Sequence, residues 1–231
     1  MPRRTALPAG DGSTTGSSVW TRPAPARRAA LTREAIVAAA VRLADTEGLA
    51  AVTVRRLAVE LDARPMSVYS YARIESKEEL FDLMVDEACA EMLVADLPGE
   101  WRPALRAVAT RSREVLLAHP WWVELIGRSV LLGPHGTRYW EQALAAVRTL
   151  GADLEARQAV VVTVETYVVG QITFALDEQG AARAGRRSPD GRPPGPTSAV
   201  DRDRLFTRGL DWLLTGIGAS LEPGGPPRPA T

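Results

Sequence analysis

Between Thr53 and Lys77 the chain reads TVRRLAVELDARPMSVYSYARIESK, and this stretch gathers the side chains best suited to grip a nucleic acid. Arg64 can donate two parallel hydrogen bonds to a guanine edge, and Met66 can touch a thymine methyl. Ser67, Ser70, Tyr69 and Tyr71 carry hydroxyls for phosphate oxygens or base edges. Arg55, just upstream, offers a second guanidinium. The spacing makes these groups converge. Thr53 is a good N-cap, and Val54, Leu57, Ala58 and Leu61 stand at i, i+3, i+4 and i+7, one face of a helix. Asp62-Ala63 then reads as a turn, and Pro65 opens a second helix at the position where its missing N–H costs nothing. Val68 points inward and the hydrogen-bonding groups point out. Ser76-Lys77-Glu78-Glu79 is a capping box that starts the next helix, so Lys77 lies at a positive helix end where a phosphate is stabilised.

Other chemistry is poorly provided for. His119 precedes a proline and His135 sits in a Gly-Pro turn, with no cysteine or paired carboxylate at ligand spacing, so neither metal nor cofactor is expected. No nucleophile stands at a useful distance from a base, which argues against an enzyme. Cys89 is the sole cysteine and lies inside a helical pattern, which predicts a small buried apolar residue, no disulfide framework and a reducing cytoplasm. Twenty-eight basic and 28 acidic residues give no net charge, a count against a non-specific coater of nucleic acid though not against a site-specific reader.

These groups need a scaffold, and the pattern supplies helices. Thr32 caps a first helix with Ile36, Ala40 and Leu43 on one side, and Gly48 ends it. A fourth helix runs from Lys77 toward Val94. Trp101, Leu105, Val108, Val115 and Leu116 form the next stripe until His119-Pro120. Trp121 to Leu132 and Tyr139 to Leu150 read as further helices, with Gly133-Pro134 as a turn. Asp153 caps a long segment, AVVVTVETYVVGQITFAL at its centre, which is too long for one strand. Glu165 and Gln171 inside it and Arg157 before it argue against a bilayer span. A helix buried on nearly all sides is expected there. Residues 178–200 turn abruptly to Gly, Pro and Arg and read as a mobile loop. A final helix carries Phe206, Leu210, Leu213, Leu214, Ile217 and Leu221, its Gly209, Gly216 and Gly218 requiring close packing to compensate. Pairing of the last two helices with those of a second copy would cover an apolar face, with Val161, Val168, Ile172, Phe206, Leu210, Leu213, Leu214 and Ile217 as the expected interface. Trp101, Trp121, Trp122, Trp140, Tyr167 and Phe174 concentrate aromatics in the middle helices, where they suit a cavity for a planar or apolar molecule. Glu165 needs a buried partner, either Arg106, Arg128 or Arg157 or a donor on a ligand.

Over Leu31 to Met92 the chain resembles the tetracycline-repressor (TetR) family of transcriptional regulators, through Glu47-Gly48-Leu49, TVRRLA, the LDARPMSVYSY segment and SKEELFDLM. Two departures stand out: Asp62 takes a position usually held by Gly, and Tyr69 precedes Lys77 by eight residues where six is common, as if the loop at Ala72-Arg73-Ile74-Glu75 were longer by two. The resemblance implies an all-α dimer in the cytoplasm. It would have a basic disordered tail (1–28), a helix-turn-helix DNA-binding domain (29–95), a ligand-binding and dimerisation domain (96–222) and a disordered end (223–231). It also implies a double-stranded operator as partner and a small-molecule effector. Within this frame Thr53, Arg55, Arg64, Pro65, Met66, Ser67, Tyr69, Ser70, Tyr71 and Lys77 would contact DNA.

Overall fold

The computed structural model describes residues 32–126, 133–183 and 199–221, and no strand occurs among them. The helices are α1 (Arg33–Glu47), α2 (Val54–Glu60), α3 (Pro65–Ala72), α4 (Lys77–Glu91), α5 (Trp101–Ala118), α6 (Pro134–Ala146), α7 (Leu154–Arg183) and α8 (Ala199–Leu221). Short 3-10 turns lie at Leu49–Ala51, Pro120–Leu125 and Arg148–Leu150. The expected tails, and the hydroxyl side chains of Ser67, Tyr69 and Tyr71, lie outside what is described.

Local chemistry sets the helix ends where the sequence places them. The Thr32, Thr53, Ser76 and Asp153 side chains each accept a backbone N–H three residues on, at 2.8–3.2 Å, satisfying donors that a helix start leaves orphaned. Gly48 (φ 85°) ends α1 by donating its N–H to Ala44, and Gly151 (φ 75°) turns the chain into α7. Asp62 takes φ 47°, the left-handed backbone a glycine would favour, so the turn before α3 keeps its shape with a residue that tolerates it.

Two apolar cores follow. Ile36, Leu43, Leu57, Val68, Leu80 and Met84 fill the first, among α1 to α4. Leu105, Val108, Val161, Val168, Leu210 and Leu214 fill the second, among α5 to α8. Trp121 and Leu125, from the turn after α5, are buried in the first core, and the neighbouring Trp122 packs against both. The second half of the chain thus plugs the first.

Four expectations need correction. A helix from Trp121 is instead a 3-10 turn ending at Leu125, because Pro120 and the burial of Trp121 hold the chain tightly; 127–132 lie outside the described residues. Pro134 does not sit in a turn but opens α6 as its first residue, the position where proline is accommodated. The loop is shorter than 178–200, since α7 continues to Arg183 and α8 begins at Ala199. Lastly, α7 is buried along one face only. Its β-branched residues divide between an inner stripe, with Val161, Val164, Val168 and Ile172, and an outer one with Val162 and three threonines whose hydroxyls bond back to helix carbonyls at 2.7–2.9 Å. By length and composition alone this helix is apolar enough to cross a membrane.

Candidate DNA-reading face and effector cleft

The sequence makes α3 a helix with one anchor. Val68 is wholly buried among α1, α2 and α4, while Arg64, Pro65, Met66 and Ser70 are exposed, Met66 at 89%. A methionine so exposed has no packing role of its own. Thr53 and Arg55 are exposed on the adjoining α2 start, where Arg56 is tied to Glu47 by an ion pair. Beyond α3 the longer loop is settled by two residues. Arg73 takes a left-handed backbone (φ 52°) and Ile74 is buried in the first core, so the additional length is taken up before α4 begins. Ser76 caps α4, and Glu79 reaches back to the backbone N–H of Glu75 (2.8 Å), completing the box one residue early. Lys77 is half-buried at the start of α4, with its ammonium 5.2 Å from the centre of the Phe81 ring.

The ligand-side residues separate into three groups. Trp101 and Trp121 are core: Trp101 is 5% exposed under the stacked Arg102 guanidinium, and the Trp121 indole donates to Asp45 at 2.7 Å. Trp122 and Trp140 are half-buried packing residues. Glu165 belongs to a polar cluster between α5, α6 and α7, accepting from the Tyr139 hydroxyl and, at 3.5 Å, from Ser112. Two of the arginines suggested by sequence are engaged elsewhere, Arg106 with Asp211 and Arg157 with the Asp153 carbonyl, and Arg128 lies outside the described residues. Burial raises the Glu165 carboxyl to about 7 against the pull of those two hydrogen bonds, and burial with the facing Glu165 raises the Tyr139 hydroxyl well above its usual range. Burial, with Asp86 and Glu165 adding, pushes the Cys89 thiol to about 12, so it stays protonated and inert.

Trp121 borders a hollow of about 560 Å³ beside the end of α1, and Tyr167 and Phe174 meet at a separate cleft of about 820 Å³ among α5, α7 and α8. Its floor is layered. The Arg113 guanidinium lies 4.7 Å from the centre of the Phe206 ring and pairs with Asp203 at 2.6 Å, and Tyr167 stacks on Phe206 with ring centres 5.7 Å apart. The Tyr167 hydroxyl donates to the Phe206 carbonyl at 2.8 Å. Gly209 leaves room for it, since a Cβ there would lie 2.3 Å from that hydroxyl. Phe174, Leu205 and Trp212 form an exposed apolar rim. Sequence reasoning missed Arg113 and Trp212; the available signal was a tryptophan on the polar side of an amphipathic helix, a position that packing does not explain.

The expected dimer residues also divide. Val161, Val168, Ile172, Phe206, Leu210 and Leu214 are buried within the chain itself, because the strongest apolar stripes are spent joining α7 and α8 to α5. Leu213 and Ile217 remain half-exposed. The apolar face left exposed is the weaker-patterned one, with Val162, Phe174, Leu205 and Trp212.

Comparison with known proteins accounts for both halves. A family model described as "Bacterial regulatory proteins, tetR family" matches residues 36–84, and "Tetracyclin repressor-like, C-terminal domain" matches 95–194. The chain is 34% identical over 179 residues to the HTH-type transcriptional repressor DrrR1 of Streptomyces coeruleorubidus, covering 75% of this chain and 66% of that relative's length. Its fold matches ActR of Streptomyces coelicolor solved in complex with actinorhodin (TM-score 0.70, 27% identity, 86% of this chain and 100% of that one). It also matches BioQ solved with its double-stranded DNA operator (TM-score 0.60, 28% identity, 81% and 98%). The chain belongs to the tetracycline-repressor (TetR) family of bacterial transcriptional regulators.

Proposed function

We propose that this ligand-responsive TetR-type repressor acts in the cytoplasm as a dimer that holds a pseudo-palindromic operator and lets it go when a small apolar or aromatic molecule occupies the α5–α7–α8 cleft. The observation that carries the reading is the exposed, unpacked face of α3, with Arg64, Met66 and Ser70 outward over a buried Val68. Two such helices about 34 Å apart would enter successive major grooves. Dimer formation is supported by the outer face of α7 and α8, where threonine hydroxyls bond their own helix and leave an apolar surface around Val162 and Trp212. The cleft supports the effector class. Its size falls in the range of small-molecule sites, its rim is aromatic, and Arg113 supplies one cation near the floor. The operator-bound BioQ and the actinorhodin-bound ActR support the same pair of partners. Gel shift with the DNA upstream of its own coding sequence tests the reading. A retarded complex that an aromatic ligand dissolves supports it, and stoichiometric ligand binding with no DNA retention at low salt would leave a small-molecule-binding protein.

A further inference from the structure

His119 occupies the corner between α5 and the turn that carries Trp121, and it is 6% exposed. Both ring nitrogens face carboxylates of the reading head. Nδ1 lies 2.8 Å from Asp45 at the end of α1, and Nε2 lies 3.4 Å from Glu91 at the end of α4. A carboxylate accepts and does not donate, so at the short 2.8 Å contact Nδ1 is the donor to Asp45, while the 3.4 Å contact of Nε2 to Glu91 is too long to fix a proton there. The same Asp45 oxygen takes the Trp121 indole N–H at 2.7 Å, and Arg111 of α5 donates to the Glu91 carbonyl at 2.6 Å. With Trp121 and Leu125 sunk into the first core, the corner of α5 is a keyed plug: its apolar part fills the reading head and its polar part fixes the angle. Hydrogen bonds that involve an ionised partner are short and directional, which is what an angular constraint requires.

We infer that His119 is a positioning residue, through which the effector domain sets the bearing of the reading head by way of Asp45 on α1. This route runs beside α4. Movement of α5, one wall of the cleft, reaches α1 directly through one side chain, so a ligand can turn the reading head through α1 as well as through the end of α4.

Asparagine and glutamine separate the two ring nitrogens, because an asparagine amide sits near the place of Nδ1 and a glutamine amide near that of Nε2. Spin labels at Val59→Cys on α2 and Leu154→Cys on α7, both exposed sites, report the angle in full-length protein, with buried Cys89 left in place. With labelled chains diluted in unlabelled ones, the parent and His119→Asn should give one narrow distance distribution. His119→Gln should give a broad or displaced one with unchanged helix content. Binding to a duplex from the chain's own upstream region should weaken roughly tenfold in the glutamine variant, the size of one charge-assisted hydrogen bond, and little in the asparagine variant. Should the glutamine protein not fold, Asp45→Asn, isosteric and uncharged, replaces it with the same expectation for distance. Identical distributions for parent, asparagine and glutamine proteins would overturn the inference, as would equal broadening by both, which marks lost packing and not the Asp45 contact. The distance measurement needs no DNA, so failure of operator binding in the parent would count against the functional reading alone.

Discussion

The Tyr139 hydroxyl donates to the Glu165 carboxylate across the α6–α7 boundary, a neutral partner for a buried carboxyl whose expected partner was an arginine or a ligand donor. Burial outweighs the hydrogen bonds from Tyr139 and Ser112 and raises the carboxyl to about 7.

That places a pH dependence on stability. The folded value lies above the ordinary 4.5, so below about pH 4.5 the group is protonated in both states and has no effect. As pH rises toward 7 the folded chain keeps a proton the unfolded chain has released, and stability falls by about 3 kcal/mol at most, then stays constant. Glu165→Gln should remove this slope and be the more stable protein at about pH 8. Urea unfolding across the range checks it, and parallel curves for the two proteins would contradict it.

On the reading face, Arg64→Ala should cost about 1–3 kcal/mol of operator binding and relax preference at one base pair. Tyr69→Phe and Lys77→Ala should weaken all sequences alike, the lysine change also lowering the salt slope by about 1. Anisotropy titrations on a library of operator variants at several salt concentrations distinguish the two outcomes.

Assembly should depend on the outer face and not on the inner stripe. Trp212→Glu should give folded monomers, since the tryptophan is 72% exposed, whereas Leu210→Glu, at 1%, should unfold the second core. Light scattering with circular dichroism reads both. A tight dimer of the Trp212 variant would move the interface elsewhere, and an interface this apolar should bury upwards of about 2,000 Å².

Gly209→Ala should displace Tyr167 from the Phe206 carbonyl and cost about 1–3 kcal/mol, as overpacking does. Cleft-bound aromatic probes should lose affinity in the same variant, while DNA binding in their absence stays unchanged.

In the loop before α4, Arg73 holds φ 52° without the hydrogen-bonding side chain that makes such a backbone tolerable for Asp62. Arg73→Gly should raise stability by about 1 kcal/mol, measured as a higher melting temperature.

Much of the fold was legible because it rests on local signals: Thr32, Thr53, Ser76 and Asp153 as caps, Gly48 and Gly151 as stops, and Val68 as the inward residue of α3. The candidate sites were less so, for a physical reason. Apolar periodicity tells that Phe206, Leu210 and Val168 face something apolar, and it does not tell whether that surface belongs to their own chain or to another copy. The same blindness hid the partner of Trp121, since Asp45 stands 76 positions earlier in the chain. The cleft is bounded by side chains such as Arg113 and Asp203, 90 positions apart, and no window of sequence holds both.

The burial of Trp121 and Leu125 among α1 to α4 also bears on how such proteins can be recombined. A chimera joined after α4, the natural seam by sequence, would part the reading head from two of its own core residues and hand it whichever plug the donor happens to carry. Exchanges that respect the fold would have to carry 119–125 along with the first four helices, so the module that is inherited or engineered as a unit is discontinuous in the gene.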